Sequence, residues 1–343
     1  MQNEIVRPDD LLDANGNLKQ IGYSKTMLLQ YDRSKVAVRK TRIKEWDYYL
    51  VYNDAYAVAL TIDDNSYMGL HSVSLIDFKE KKETTKSIMN FMPMGKTNFP
   101  STSKVGDVCF KNKNIDIRFQ NDGKERILSV YLKNFKDKKD FRGYFKLTNE
   151  PKESMVIATP FEKRGHFYYN QKIIGIRARG EVALGDEKII FDEEDTLGLL
   201  DWGRGVWTYK NTWYWGAGHK IIAGKVFGFN IGYGFGDTSA ASENMLFYDG
   251  VAHKIEDVKF NIPTTKNGKD DFLSKWTFTS SDKRFEMEFE PIIDRHSNAN
   301  VLVICSNQHQ VFGKFTGKAV LDDGKVIKVK NMLGFAEKVQ NRW

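Results

Sequence analysis

The stretch DAYAVALTID, residues 54–63, decides the fold because apolar side chains occupy every second position in it. Tyr56, Val58, Leu60 and Ile62 share one parity. A period of two puts such side chains on one face of an extended strand, whereas a helix requires a period near 3.6. The stretch therefore predicts a half-buried β-strand.

The same alternation recurs along the chain. The segments that show it are EWDYYLVY, YMGLHSVSLIDF, NIDIRF, RILSVYL, KVFGFNIGYGF, FEMEFEPII and VLVICS. Between segments of this kind lie the clusters NDG, YDG, KNG and DDG, whose residues supply the positive φ angles of tight turns. Because no long amphipathic helix pattern competes with this one, we predict an all-β, antiparallel protein.

The length of 343 residues fits two domains or one large all-β body. Hydrophobic residues make up 41% of the chain and charged residues 28%, which is ordinary for a protein with a packed core. We place a boundary near LTNEPKES, residues 147–154, which predicts domains at 1–150 and 151–343.

Charge and composition narrow the range of partners and locations. The net charge of +7 includes the basic runs KEKKETTK and KNFKDKKD, but acids interrupt both, so no nucleic-acid surface is expected. The start MQNEIVRPDD lacks the pattern of a secretory signal, and no segment has the roughly 18 apolar residues of a membrane span. Cys109 and Cys305 are far apart, which suits a reducing compartment. We expect a cytoplasmic protein without a metal site or cofactor.

A tryptophan-rich stretch, LLDWGRGVWTYKNTWYWG at residues 199–216, predicts the position of a site. Four of the seven tryptophans lie in it: Trp202, Trp207, Trp213 and Trp215. If residues 201–207 form a strand, one face carries Asp201, Gly203, Gly205 and Trp207, and the other carries Trp202, Arg204 and Val206. The first face then contains a notch, two glycines wide, between the Asp201 carboxyl and the Trp207 indole. Either a ligand enters it, or the glycines mark a barrel corner that Trp207 covers.

A second glycine-rich stretch, FGFNIGYGFG, follows at residues 227–236. Its odd positions are Phe227, Phe229, Ile231, Tyr233 and Phe235, and its even positions are Gly228, Asn230, Gly232, Gly234 and Gly236. The bare face is expected to lie against another strand or to leave volume inside a barrel. Beyond it, Glu243 belongs to a polar run that forms either a turn or a lid over a pocket.

Established catalytic motifs are absent from the sequence. There is no G-x-S-x-G, H-E-x-x-H, paired Cys-x-x-Cys or complete Walker loop. The six histidines are scattered, and only His219 lies close to the tryptophans. We therefore take His219, Asn230, Tyr233 and Glu243 as candidate ligand-binding residues together with the four tryptophans.

Asp201 and Arg204 are the candidate catalytic residues. Indoles around the Asp201 carboxyl would remove it from water, raise its pKa and allow it to act as a general acid. An ion pair with Arg204 would instead lower that pKa and make the two residues a structural clamp or an anion site. Strand parity puts them on opposite faces unless Gly203 bulges, so both alternatives stay open.

A faint internal repeat relates residues 180–207 to residues 317–343. With one gap, Gly198 aligns with Gly334, Asp201 with Glu337 and Trp207 with Trp343. Each copy predicts a hairpin that brings a glycine, an acid and a tryptophan into one layer.

Several blocks of the sequence resemble a known family. LDWGRGVWTYKNTWYWG, GFNIGYGFGDTSAASENMLFYDG and the terminal GFAEKVQNRW look like the bacterial domain of unknown function (DUF) 2804 family over essentially the whole chain. More remotely, Gly198, Asp201, Trp202 and Gly203 are similar to a motif of AttH-like and carotenoid 1,2-hydratase proteins. That resemblance implies two lipocalin-like β-barrels packed side by side.

Three functions are compatible with these residues. The first is a hydratase, isomerase or cyclase that acts on a hydrophobic small molecule, with Asp201 as acid, Arg204 as anchor and indoles around a developing positive charge. The second is a non-catalytic protein that binds a lipid-like ligand. The third is a structural module whose cavity is filled by its own side chains. The oligomeric state does not follow from the sequence.

Overall fold

A computed structural model describes residues 2–301 and 304–342, with the side chains of 299–301 and 304 left aside. In this described part, 22 of the 24 strands form two large curled antiparallel sheets, and the other two, β1 (Asp9–Asp10) and β3 (Leu29–Gln30), pair in parallel. The helices among these residues are two single 3-10 turns, Arg33–Lys35 and Lys40–Arg42, far short of a membrane span. The all-β prediction is confirmed.

The first sheet contains thirteen of the described strands. They are β2 (Gly22–Ser24), β4 (Ile43–Tyr52), β5 (Tyr56–Asp64), β6 (Met68–Asp77), β7 (Lys82–Phe91), β8 (Val108–Lys111), β9 (Ile115–Asn121), β10 (Arg126–Lys136), β11 (Lys139–Thr148), β12 (Met155–Pro160), β13 (Phe167–Leu184), β14 (Glu187–Phe191) and β15 (Leu197–Val206). Their main order is β7-β6-β5-β4-β15-β13-β11-β10-β9-β8, and β12 and β14 also pair with β13. The central strands β4, β15 and β13 are therefore far apart in sequence but adjacent in space.

The second sheet contains nine described strands. They are β16 (Lys210–Ile222), β17 (Lys225–Tyr233), β18 (Met245–Tyr248), β19 (Val251–Lys254), β20 (Val258–Asn261), β21 (Trp276–Ser280), β22 (Phe285–Val301), β23 (Ile304–Val320) and β24 (Val326–Arg342). Their order is β19-β18-β17-β16-β24-β23-β22-β21-β20. β16 and β24 lie at the centre of this sheet.

The chain passes from one sheet to the other between Val206 and Lys210. The predicted boundary at 147–154 instead lies between β11 and β12, which both belong to the first sheet. Sheet membership does not itself define folding units, so the division at residue 150 stays a prediction.

The buried apolar side chains form three clusters, because several strands are buried on both faces. In β5, Val58, Leu60 and Ile62 belong to the core of the first sheet, whereas Ala57 and Ala59 belong to a second cluster. This second cluster also contains residues of β16 and β24, so it joins the two sheets. A third cluster fills the inside of the second sheet. Alternation in the sequence thus separates a barrel interior from an interface between barrels.

Glycines allow the two sheets to approach closely. In β17, Phe227, Phe229 and Ile231 share one face, as the alternation predicts, and this face packs in the core of the second sheet. On the opposite face, a Cβ at Gly228 would lie 2.7 Å from Cγ2 of Ile174 in the first sheet. The bare face therefore lies against the other barrel, one of the two roles expected for it.

We expect Gly228→Ala to destabilise the protein by about 1–3 kcal/mol because the new methyl group overpacks against Ile174. Ile174→Ala alone creates a cavity and costs roughly 2–4 kcal/mol. In the double variant each change relieves the other, so its loss should be smaller than the sum of the single losses. Denaturant unfolding of the four proteins measures this, and additive losses would contradict the close approach.

Candidate functional site

A cavity of about 250 Å³ lies where the central strands of the two sheets face each other. The first sheet and the segment after it contribute Lys44, Trp46, Tyr48, Thr61, Asp63, Asn65, Leu70, Ser72, Tyr168, Lys172, Asp201 and Trp207. The second sheet and the segment after β17 contribute Trp213, Trp215, Phe235, Arg295, Ser306, Gln308, Gln310, Glu337 and Asn341. This volume equals that of about eight water molecules, so one small molecule fits.

β15 positions Asp201 by simple alternation. Trp202 and Val206 belong to the core of the first barrel, whereas Asp201 lines the cavity on the other face. Trp207, directly after the strand, lies in the interface cluster and also lines the cavity. The predicted parity of residues 201–207 is therefore confirmed.

The Asp201 carboxylate is held by residues of the neighbouring strand. β13 pairs with β15 so that Lys172 lies opposite Asp201. Lys172 Nζ lies 2.8 Å from Asp201 Oδ1, and Asn170 Nδ2 donates to the same oxygen at 2.7 Å. Lys172 Nζ also lies 3.8 Å from the ring centroid of Trp215, which brings the second sheet into contact with the pair. Since Lys172 and Asp201 are both buried, this is an interior ion pair.

Of the two alternatives left open for Asp201, the clamp with Arg204 does not form, because Arg204 points into the first barrel. Its Nη1 lies 3.0 Å from Asp47 Oδ1, and its guanidinium stacks on Trp202 at 4.0 Å. The side chain is fully buried and does not line the cavity. Arg204 and Trp202 therefore form a structural group on the opposite face of β15 from Asp201.

Glu337 is a second carboxyl of the cavity and was not among the predicted site residues. It lies on β24, where Trp213 Nε1 donates to Oε1 at 3.0 Å and Gln310 Nε2 donates to Oε2 at 3.0 Å. Burial raises the pKa of Glu337 to about 7, although these hydrogen bonds and the charge of Lys172 oppose the rise. Glu337 can therefore hold or release a proton near neutral pH.

The internal repeat contained the signal for Glu337, because it aligned Asp201 with Glu337. β15 and β24 are both central strands, one in each sheet, and the aligned acids line the same cavity. The last aligned residue, Trp343, lies outside the described residues.

Aromatic rings form one wall of the cavity. Trp207 makes edge contacts with Trp46, Tyr168 and Trp213 at centroid distances of 5.7, 5.5 and 5.2 Å. The predicted notch between Asp201 and Trp207 is filled, because a Cβ at Gly203 would overlap the Trp46 indole. The cavity therefore lies beside the glycines of β15 and not directly above them.

The remaining predicted residues lie outside this cavity. Asn230 lies behind its wall, where it accepts a hydrogen bond of 2.7 Å from Trp215 Nε1 and donates one of 2.9 Å to the carbonyl oxygen of Glu243. Burial raises the pKa of Glu243 to about 7. Tyr233 stacks on Tyr214 at 4.6 Å against the second core.

His219 lies at a different place in the interface. Its ring stacks on Tyr52 at 4.2 Å, and burial lowers its pKa to about 3, so it is a neutral packing residue. Within the described chain, no three His, Cys, Asp or Glu side chains are grouped to hold a metal ion.

Several buried polar atoms of the cavity wall have no hydrogen-bond partner among the described residues. They are the hydroxyls of Tyr48 and Tyr168, Nε1 of Trp207, Oε1 of Gln310 and Oδ1 of Asn341. Buried polar groups in native proteins are nearly always paired. Each of these atoms is itself buried, so it could pair with a ligand only if the wall around it moved.

The fold and this site define a class of proteins with two lipocalin-like β-barrels packed side by side. The chain belongs to the family DUF2804, described as a domain of unknown function, whose profile matches residues 2–343. The predicted resemblance is therefore confirmed. A comparison with curated proteins found no match.

Solved structures share the fold at low identity. The chain is similar to kievitone hydratase from Nectria haematococca, with 9% identity, a TM-score of 0.50 and 88% of each chain covered. A candidate AttH from Nitrosomonas europaea has 11% identity and a TM-score of 0.44, covering 90% of this chain and 96% of that one. CghA has 7% identity and a TM-score of 0.42, covering 98% and 97%. At such identities the likeness shows the fold alone.

The buried ion pair predicts a strong coupling between its two residues. Lys172→Met leaves the Asp201 carboxylate without its cation and should cost about 3–5 kcal/mol. Adding Asp201→Asn removes the orphaned charge, so the double variant should recover part of that loss. Denaturant unfolding gives the coupling energy, and a double variant as unstable as the sum of the single changes would contradict the pairing.

Glu337 predicts a loss of stability as pH rises. The folded protein keeps this proton up to about pH 7, whereas the unfolded chain releases it near the usual glutamate pKa of about 4.3. Ionisation therefore penalises only the folded state, and stability should fall between about pH 4 and 7 by up to roughly 4 kcal/mol through this group.

Glu337→Gln removes this contribution. As pH rises, the variant should therefore become more stable relative to the wild type. Glu288→Gln, at an exposed glutamate of β22, serves as the control and should leave the pH profile unchanged. Parallel profiles for Glu337→Gln and the wild type would contradict a raised pKa.

Proposed function

We propose that this protein catalyses a cofactor-independent acid–base reaction, such as a hydration, isomerisation or cyclisation, on a hydrophobic small molecule bound between its two barrels. The observation that carries the proposal is the presence of two buried carboxyls, Asp201 and Glu337, from different sheets in one cavity. One is paired with a lysine, and the other holds its proton close to neutral pH. Two carboxyls in such different environments suit opposite roles in proton transfer.

Glu337 is the proton donor in this proposal. The sequence had suggested Asp201 as the acid, but its carboxylate accepts hydrogen bonds from Lys172 and Asn170 through one oxygen. Glu337, with a pKa of about 7, has the protonated fraction at neutral pH that a general acid requires. Asp201 is the base, and Lys172 and Asn170 orient it.

A hydration illustrates how the atoms balance. The Glu337 carboxyl transfers its proton to one alkene carbon, which leaves positive charge on the other carbon. The faces of Trp207, Trp213 and Trp215 stabilise this charge. Water then forms a bond to the cationic carbon, and its proton passes to the Asp201 carboxylate. Exchange with solvent returns a proton to Glu337 and removes one from Asp201, so the net reaction consumes one water.

The hydratase of Nectria haematococca shows by its name that this fold can accommodate a hydration. The reaction type proposed here depends on the cavity residues and not on that name.

A non-catalytic binding protein is the second candidate. The observation that favours it is the engagement of Asp201 by Lys172 and Asn170, because a carboxylate held in this way can serve packing alone. In that case the aromatic walls and the polar atoms without partners would only hold the ligand.

Isotope incorporation separates these two functions while the substrate is still unidentified. The protein is incubated with a panel of small unsaturated alcohols, ketones and terpenoid alkenes in deuterium oxide and, separately, in oxygen-18-labelled water. Mass spectrometry of the panel should then show, in at least one compound and above the level in a sample without protein, deuterium bound to carbon or the gain of one water that carries oxygen-18. Glu337→Gln and Asp201→Asn should each lower the rate by about 10²–10⁴-fold.

Glu288→Gln, remote from the cavity, should retain the wild-type rate. An equal rate in Glu337→Gln would overturn its role as acid. If the wild-type protein binds panel compounds but leaves all of them unlabelled, the second candidate is correct.

A further inference from the structure

The first sheet presents a row of cross-strand neighbours to the cavity. Backbone pairing joins five residues directly from strand to strand, in the order Ser72, Thr61, Tyr48, Asp201 and Lys172. Directly paired residues lie on the same face of a sheet, and all five line the cavity. The row therefore gives the position of each of these residues across the cavity.

The second sheet has a matching row. Its residues, in order from strand to strand, are Arg295, Gln310, Glu337 and Trp215, and all four line the cavity. The Trp215 end meets the Lys172 end of the first row, since Lys172 Nζ lies 3.8 Å from the Trp215 ring centroid. The Arg295 end meets β6, because Arg295 Nη1 donates a hydrogen bond of 2.8 Å to Ser74 Oγ. The two rows therefore run in the same direction across the cavity.

Arg295 is a half-buried cation of the cavity wall that the acid–base proposal does not use. A guanidinium is positively charged at any physiological pH and has five N–H donors. Among the residues that the structure describes, its one hydrogen bond goes to the neutral hydroxyl of Ser74, and it forms no ion pair. Most of its donors therefore remain for an acceptor that enters the cavity.

Two acids near Arg295 are engaged elsewhere. Asp294 lies on the opposite face of β22, where His309 Nδ1 lies 2.7 Å from its Oδ2. Glu337 is two strands away in the row, so about 10 Å separates its backbone from that of Arg295. Burial raises the pKa of Glu337 to about 7 against the opposing charge of Arg295, so at neutral pH this acid is in part uncharged. A second anion beside Arg295 therefore meets little repulsion.

From this arrangement we infer that Arg295 binds a carboxylate group of the ligand, so that the substrate class is a hydrophobic carboxylic acid. The inference deepens the proposed function and rests on it for the presence of a small hydrophobic molecule in the cavity. A guanidinium binds a planar carboxylate through two parallel N–H···O bonds. A single guanidinium also matches the single charge of a carboxylate better than the double charge of a phosphate.

The two rows fix the order of groups along such a ligand. Its carboxylate lies at the Arg295 end, and its apolar end lies against Trp215. The carbons between them lie beside Glu337 and Asp201, which occupy the middle of the two rows. Binding of the carboxylate therefore positions the carbon that receives the proton, and Arg295 determines specificity without taking part in proton transfer.

Isothermal titration calorimetry of the whole chain at pH 7 with matched pairs of compounds tests the inference. The probes are the phenylalkanoic acids from 3-phenylpropanoate to 6-phenylhexanoate, each with the alcohol of the same carbon skeleton. We expect at least one acid to bind about tenfold or more tightly than its alcohol, because only the acid pairs with the guanidinium.

Three variants assign this preference to Arg295. Arg295→Met should weaken binding of the acid by about tenfold or more and leave binding of the alcohol unchanged, which also shows that the variant folds. Arg295→Lys keeps the charge without the paired donors and should retain part of the preference. Ser74→Ala removes only the neutral partner of Arg295, so this matched control should retain the whole preference.

Equal affinities for acid and alcohol in the wild-type protein, or binding of neither, would overturn the inference without any variant. A preference that persists in Arg295→Met would also overturn it, because a different cation would then bind the carboxylate. If Arg295→Met and Ser74→Ala lose acid and alcohol alike, Arg295 serves the packing of the two sheets and the inference is wrong.

This outcome is separable from that of the proposed function. Solvent isotope incorporation into neutral compounds, without a preference for acids, rejects the carboxylate site and retains the acid–base chemistry. A preference for acids that depends on Arg295, without isotope incorporation into the acids or the neutral compounds, retains the carboxylate site and rejects catalysis.

Discussion

The ion pair between Lys172 and Asp201 lies where two sheets, each with its own apolar core, pack against each other. Charges in such an interface are costly unless they are paired, and here the pair bridges adjacent central strands while its lysine touches Trp215 of the other sheet. The interface is closely packed elsewhere, as at Gly228. The space that remains beside the ion pair is a cavity lined by charged and aromatic side chains.

The proposed function is a property of the interface between the barrels. Among the described residues, apolar side chains pack inside each barrel and form a separate core there. Acids from both sheets line the cavity, and among them are Asp201 of the first sheet and Glu337 of the second. Because their strands belong to different sheets, relative movement of the barrels would change the distance between these groups. The chemistry and the packing of the barrels are thus linked.

The sequence predicts local features well and long-range partners poorly. The alternation of apolar residues around Val58 correctly predicted a strand. The same period of two correctly placed Asp201 and Trp202 on opposite faces of their strand. The partner of Asp201 could not be predicted, since strand pairing and not sequence proximity brings Lys172 to it. Arg204, the alternative that was considered, is close in sequence but faces the other way. Glu337 was visible only through the internal repeat.

Native mass spectrometry of the freshly purified protein tests most directly whether the space between the barrels holds a guest. We expect the mass of the chain with one bound small molecule, and loss of that added mass in Ser72→Trp, whose indole would fill the cavity. A wild-type mass equal to that of the bare chain, or an added mass that persists in Ser72→Trp, would contradict it.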